Sequence, residues 1–383
     1  MHHENEMKRG LLFHFWADID TNPTLMGLIR SLIQGGFELD LCHETRDFFL
    51  PPSLPSRGIT CFSVPTWKNC QKEVTEFIDR QREGEPYSYV IAVDPQGLFV
   101  ALPHVQHLQV PLIYLSFELT FLDELRDEDD VRLKKIEIEA SQLAELVIIQ
   151  DEKRGQLLAQ ENSLALEKFV YLPNAPTDFP ACQHCDYLRK ELGIPAEKRI
   201  VLHAGSFDFW TFGEELFNAA HQWDDSYILV IHIRQFPRKD DLVTRLMSHC
   251  DPNKVRFSTQ PIPYDRYGEV VASCDVGLVL YKITPTKFTQ KNLYHIGLSS
   301  GKFSYFARHG KPVVTNHLPT YREIFNRYHN GLCVRSIESL GQTLTDLDGD
   351  LRKMGKNNRH FFEDKLDFTK NMTRVLERIR ALL

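Results

Sequence analysis

Two series of short, unbroken apolar stretches, each interleaved with helical periodicity, constrain this chain more than any other feature. The first series is Gly10 to Ala17, Phe37 to Cys42, Tyr89 to Val93, Pro111 to Ser116, Leu146 to Ile149 and Phe169 to Leu172. Thr24 to Gly35 carries apolar residues at helical spacing, and a charged helix is predicted over Asp130 to Leu143. Strands that are apolar on both faces must be covered on both faces, as in a parallel sheet clad with helices. Pro173-Asn174-Ala175-Pro176 then breaks the pattern, and the stretch to Pro195, rich in Pro, Cys and charge, reads as a linker. A second series follows, with strands at Ile200 to His203, Tyr227 to Ile233, Val255 to Phe257 and Val276 to Tyr281, and helices over Phe212 to Gln222 and Tyr264 to Cys274. The last helix is predicted over Thr369 to Leu382.

The implied class is α/β, with two Rossmann-like doubly wound parallel-sheet domains facing across a cleft. At 383 residues the chain exceeds one typical core, which agrees with two domains. In open α/β sheets ligands bind beyond the carboxyl ends of the strands, so residues just after each strand are the first candidates for function.

Bulk properties exclude several classes. A net charge of −7 offers no electrostatic footprint for nucleic acid. No apolar run reaches the roughly 18 residues of a membrane span. The amino-terminal apolar run is too short and too charged for a secretion signal, so the chain is expected in the cytosol, with at most a peripheral place at the membrane. Of eight cysteines only Cys182 and Cys185 are close, and one CxxC without a second pair reads as ordinary thiols in a linker. The 16 histidines show no metal spacing.

The segment Gly297 to Asn316, GLSSGKFSYFARHGKPVVTN, carries the clearest chemistry. Ser299, Ser300, Gly301 and Lys302 supply small groups, backbone N–H donors and a cation at a predicted helix N-terminus, which suits an anion. Phe303, Phe306 and Ala307 recur at helical spacing, Gly310 suits a left-handed C-cap, and Pro312-Val313-Val314 enters a strand. GLSSGK is not a phosphate-binding Walker loop, because its glycines are one residue too close and Phe303 takes the Ser/Thr place. Ser299 and Lys302 match SxxK, but the partner motifs are missing.

Other residues stand at predicted strand ends. Gly205 and Ser206 could let a diphosphate approach the backbone or form a plain turn. Arg234 could pair with phosphate or with a surface carboxylate. Glu118 could position or deprotonate a hydroxyl, or serve a helix start. Asp94 has the same choice, and Pro95-Gln96-Gly97 after it favours a turn. His14 and Trp16 lie at the end of the first strand; the histidine reads as core and the tryptophan could stack on a ligand ring. Asn316 and Glu323 could line the cleft.

Read together, VLHAGSFDFW, IPYDRYGEVVASCDVGLVLY and GLSSGKFSYFARHGKPVVTN, with VPLIYLSFEL, Glu139, LAELVIIQDEKR and YLPNAP earlier, resemble glycosyltransferases of the GT-B fold, the retaining nucleotide-sugar-dependent group (family 4-like) in particular. The resemblance covers nearly the whole chain. It implies an acceptor domain over 1–177, a linker over 178–195, a donor domain over 196–362 and a helix over 363–383 returning to the first domain. It implies a nucleoside diphosphate sugar as donor, UDP-linked donors among them, with no metal and no further cofactor. The acceptor stays open between glycan, lipid-linked, protein and small-molecule hydroxyls. Catalytic roles fall to Glu118, Asp94 and Lys302. Donor contacts fall to Gly205, Ser206, Arg234, Ser299 to Lys302, Tyr305 and Asn316, and the acceptor side to His14 and Trp16.

Two positions depart from the family pattern. Its two glutamates eight residues apart fall on Gly297 and Tyr305, neither acidic, although Tyr305 keeps a hydrogen-bonding hydroxyl. Its basic pair after the first donor strand falls among Phe207, Asp208 and Phe209, with Arg234 as a substitute. These departures admit a second reading, a GT-B scaffold that has lost catalysis and serves as a binding or partner subunit. A third keeps the fold and changes the reaction to an epimerase or phosphorylase.

Overall fold

The computed structural model describes residues 8–15, 19, 22–44, 54–81, 86–177, 184–233, 241–286 and 290–383. Trp16, Arg234 and Cys182 lie outside the described residues. The chain divides into two compact units, Met1–Thr177 with Phe368–Leu383, and Asp178–Asp367.

In the first unit the described strands are β1 (Lys8–His14), β2 (Phe37–Glu44), β3 (Ile59–Val64), β4 (Tyr87–Val93), β5 (Leu112–Leu115), β6 (Leu146–Ile149) and β7 (Phe169–Tyr171). They pair in parallel in the order β3-β2-β1-β4-β5-β6-β7. Leu11, Leu12 and Phe13 of β1 are wholly buried, as a central strand covered on both faces requires. Residue 10 must be glycine in this packing, because a Cβ there would lie 2.2 Å from the Tyr89 ring.

The second unit contains β8 (Arg199–Ala204), β9 (Tyr227–His232), β10 (Val255–Ser258), β11 (Val276–Val279), β12 (Val313–Asn316) and β13 (Gly331–Val334). These strands are also parallel, in the order β10-β9-β8-β11-β12-β13. Each sheet therefore reverses direction once, between β1 and β4 in the first and between β8 and β11 in the second. Crossovers on either side of such a point leave in opposite directions, which opens a crevice at the carboxyl ends of the two strands.

The helix Asp94–Leu108 replaces the turn expected at Pro95-Gln96-Gly97. Proline fits the first helical turn, where its missing N–H costs nothing. Gly97 is needed for contact with the sheet, since a Cβ would come within 2.9 Å of the Phe13 carbonyl oxygen. Within 178–195 a helix, Tyr187–Leu192, ends on Gly193 at φ 61° and buries Leu188. Its Leu188 N–H donates to Ser273 Oγ at 3.2 Å.

The helix Phe368–Leu382 belongs to the first unit and buries Met372, Val375 and Ile379. It meets the helix Pro23–Gln34 at Gly27, where a Cβ would collide with Thr177 Cγ2 at 2.5 Å and the Phe368 ring at 2.6 Å. The proline-rich break is tied to the same helix: Thr24 Oγ1 donates to Asn174 Oδ1 (2.7 Å) and accepts from Ala175 N (3.1 Å). Among the described residues no helix is long and apolar enough to cross a membrane.

The helix Gly301–Arg308 packs on β11 through Phe306 and Gly277, where a Cβ would lie 2.4 Å from the Phe306 ring. Gly277→Ala is therefore expected to cost about 1–3 kcal/mol by overpacking. Urea unfolding checks it, and Phe306→Leu in the same chain should cost less than the sum of the two single changes because the sites are in contact.

Candidate functional site

The crevice of the second sheet is built from the exits of β8 and β11. After β8 the chain turns on Gly205, whose φ of 99° is a left-handed conformation that L side chains rarely adopt. A Cβ there would lie 3.2 Å from Lys302 Cε, so the lysine stem crosses directly over the glycine. Lys302 Nζ stands 3.4 Å from the Ser206 carbonyl oxygen, 5.6 Å from the Trp210 ring centroid and 5.7 Å from that of Tyr281. The two rings stack on one another at 6.2 Å and 18°. Cation–π contact of this kind contributes about 0.5–2 kcal/mol and holds the ammonium in place while leaving it charged.

The platform under the lysine is fixed by local hydrogen bonds. Asp208 and Thr211 form a reciprocal capping box around the short turn Phe209–Thr211. Lys282 N donates to the Trp210 carbonyl at 2.8 Å, which ties that turn to the exit of β11. The Lys282 ammonium is ion-paired with Glu215. His203, fully buried at the end of β8, donates from Nε2 to the Ser206 carbonyl at 2.8 Å. Burial, with the charge of Lys302 second, pushes its pKa down to about 3, so the imidazole stays neutral.

The four residues expected to meet an anion divide. Ser299 and Ser300 are buried. Ser300 is the N-cap of its helix, accepting from Phe303 N at 3.3 Å, and its hydroxyl is 2.6 Å from Tyr281 OH. Gly301 and Lys302 are half-buried and keep surface at the helix start. Tyr305 is buried and packs edge-on against Tyr267 at 4.8 Å. Asn316 lashes two strand exits together: its Oδ1 accepts from Tyr281 N at 2.9 Å and its Nδ2 donates to Tyr281 O at 2.8 Å. Glu323 lies inside the helix Pro319–Tyr328.

The crevice of the first sheet is built from the exits of β1 and β4. His14, the last residue of β1, is buried and in register with His43 of β2. Asp94 follows β4 directly and is 3% exposed. Its φ of 56° is left-handed, a strained choice for a residue other than glycine, though aspartate tolerates it better than most. Its Oδ1 accepts from Phe117 N at 2.7 Å and Glu118 N at 3.2 Å. Asp94 and Glu118, separate candidates in the sequence, are thus one assembly, and Glu118 sits in a bend after β5, half-exposed, outside any helix.

The rest of that loop is held from beneath by buried polar groups that spacing alone did not reveal. Gln150 Nε2 donates to Ser116 O at 2.6 Å, and Arg154, fully buried, donates to Phe117 O at 2.8 Å and Gln150 Oε1 at 2.7 Å. Thr120 Oγ1 donates to Glu137 Oε2 at 3.1 Å. Glu137 also accepts from Tyr114 OH, Lys134 Nζ and Asn162 Nδ2, each at 3.1 Å. Both charges of the Lys134–Glu137 pair are buried, and each has further hydrogen bonds, the condition under which such a pair is tolerated. The sequence signal for this network is a run of polar residues on inward helix positions: Lys134, Glu137 and Ser141, then Arg154 and Asn162.

No protein-family model matches the sequence, and no curated protein matches it. Solved structures do match the fold. Sucrose-phosphate synthase from Thermosynechococcus elongatus superposes with a TM-score of 0.74 at 16% identity, over 98% of this chain and 99% of that one. HepE from Anabaena, solved in complex with UDP and glucose, gives 0.71 at 14% identity, over 98% and 100%. A candidate UDP-N-acetylglucosamine 2-epimerase from Listeria monocytogenes gives 0.63 at 12% identity, over 98% and 96%. The chain has the GT-B fold of these proteins, two parallel-sheet α/β units.

Burial, then the charge of Glu118 and that of Glu137, pushes the Asp94 pKa up to about 7, against the pull of the two N–H donors. In the unfolded chain the value is about 3.9. The folded state therefore holds the proton through that window, and stability should fall as pH rises from about 4 to about 7. Asp94→Asn is expected to flatten this slope and to exceed the parent in stability at pH 8. Urea unfolding at pH 5 and pH 8 measures both, and an unchanged slope would contradict the assignment.

Proposed function

We propose that this chain is a glycosyltransferase that moves a sugar from a nucleoside diphosphate sugar to an acceptor hydroxyl. One observation carries the reading: the Lys302 ammonium is held on two aromatic rings at the reversal of the second sheet, over a glycine that leaves the backbone bare. As a glycosidic bond to a diphosphate breaks, negative charge gathers on the leaving oxygens, and a fixed cation stabilises that charge most where water is excluded. An ammonium is a compact cation with N–H donors on every side, the kind of group that meets phosphate oxygens. His203 adds no positive charge beside it, and Glu215 answers that of Lys282.

In this reading Gly301 and Gly205 supply backbone close to the diphosphate, and Ser299, Ser300 and Asn316 act through the backbone they hold. Glu118 orients the acceptor hydroxyl. Transfer proceeds with retention, on a hexosyl donor and without a metal, as the family resemblance implies. HepE binds UDP and UDP-glucose, which makes UDP-linked sugars the first donors to try. The cytosol, with at most a peripheral place at a membrane, is the compartment that suits such a donor.

The buried, edge-packed Tyr305 favours a second reading, because the family's ribose-binding carboxylate belongs at that position. A GT-B scaffold that binds without turnover would have this feature.

Thermal denaturation with nucleoside diphosphates separates the two. UDP or another nucleoside diphosphate is expected to raise the melting temperature in a concentration-dependent way. Lys302→Ala should weaken binding about tenfold or more, since a hydrogen bond to a charged group contributes roughly 1.5–3 kcal/mol. Donor hydrolysis that Lys302→Ala abolishes supports the enzyme; binding without any turnover supports the scaffold. No stabilisation by any nucleoside diphosphate would sink the enzyme and leave a partner subunit.

A further inference from the structure

The mouth of the first sheet contains a conjunction that the proposed transfer does not require. Asp94 is 3% exposed, holds a left-handed backbone, and stands at the reversal between β1 and β4. One carboxylate oxygen takes two backbone N–H groups of the following strand's loop. The other, Oδ2, is buried and has no hydrogen-bond partner among the described residues. An orphaned buried oxygen and a strained backbone are each costly, and such costs gather at working parts of proteins.

The groups around this carboxylate are mostly acidic or neutral. Glu118 lies on the loop it holds, Glu137 on the helix Glu128–Gln142, and Tyr114 on β5. The described titratable residue at that end of β1 is His14. The buried guanidinium of Arg154, from the helix Glu152–Asn162, is turned to the Phe117 carbonyl and Gln150. With two carboxylates nearby, Asp94 is a group that gains a proton readily.

We propose that Asp94 is a positioning residue that works as a proton-sensitive latch: its ionised carboxylate fixes the backbone of Phe117 and Glu118, and protonation weakens that hold. The chemistry is a change of acceptor strength, because a hydrogen bond to a carboxylate is about twice as strong as one to a neutral carboxyl. The proton enters at Oδ2, the oxygen without a partner, so Oδ1 keeps its two donors as a weaker acceptor. No other bond breaks. Glu118 is thereby held firmly above neutral pH and loosely below it. That this matters for an acceptor hydroxyl rests on the proposed function; the latch itself does not.

The test uses the full-length chain without ligand, so its outcome is separate from that of the nucleotide experiment. Amide resonances of Phe117 and Glu118 are followed by NMR from pH 5 to pH 9, and their hydrogen exchange is measured at pH 8. The two amide proton shifts are expected to titrate together with a midpoint near 7, to be flat in Asp94→Asn, and to move to a lower midpoint in Glu118→Gln. Exchange protection of both amides at pH 8 should be lower in Asp94→Asn, whose oxygen is a neutral acceptor, and lower still, by tenfold or more from the parent, in Asp94→Ala, while Val147 and Ile148 of β6 are unchanged. Flat shifts in the parent, a titration that survives Asp94→Asn, or full protection in Asp94→Ala would each overturn the latch. Should Asp94→Ala fail to fold, the Asp94→Asn and Glu118→Gln titrations decide it.

Discussion

Parallel pairing is the constraint from which the rest follows. A parallel strand cannot return to its neighbour without a crossover, and a right-handed crossover lays a helix on one face of the sheet. A sheet that grows first one way and then the other must have one place where neighbouring strands send their helices apart. In this chain that place lies between β8 and β11, and between β1 and β4. Gly205, Trp210, Tyr281 and Lys302 converge at the first, and Asp94 with the Glu118 loop lies at the second. Side chains distant in sequence meet there because backbone geometry leaves a gap to fill.

The two gaps are furnished in opposite electrostatic senses. At the second sheet, a cation rests on two aromatic faces near a histidine that burial keeps neutral. At the first, a carboxylate is buried beside two others and its proton affinity climbs. The loop over it is fixed by Gln150 and Arg154 from below, and Thr120 is tied to Glu137. Polar groups inside a low-dielectric interior bind strongly when each is answered, and these are answered almost throughout.

Much of this could be read in the residues. Leu146–Ile149 is a strand with the bounds its apolar run suggests, and the helix expected over Asp130 to Leu143 runs over Glu128–Gln142. Continuous apolar runs betray strands buried on both faces because nothing else needs so many branched residues together. β3, Ile59–Val64, is hard to read from sequence because it is an edge strand with five of its six residues part-exposed or exposed on a polar-mixed run. Asp94–Leu108 was masked by Pro95, Gly97 and Pro103, residues that punctuate turns in general and here serve a helix start and close packing. Lys302 and Gly205 were visible as candidates; the aromatic pair between them was not, since Trp210 and Tyr281 are far apart in the chain. Ser299 and Ser300 read from sequence as small groups at a helix start, and capping turns the Ser300 hydroxyl to the Phe303 N–H.

The helix Phe368–Leu382 closes the first unit, yet every residue of the second is made before it. During synthesis the groove at Gly27 therefore lacks the Phe368 ring that will fill it until every strand of both sheets has been made. The amino-terminal unit cannot be completed as it emerges, a departure from the usual vectorial order. Any chaperone that shields nascent apolar surface would find its longest-lived target on the half of the protein that emerged first.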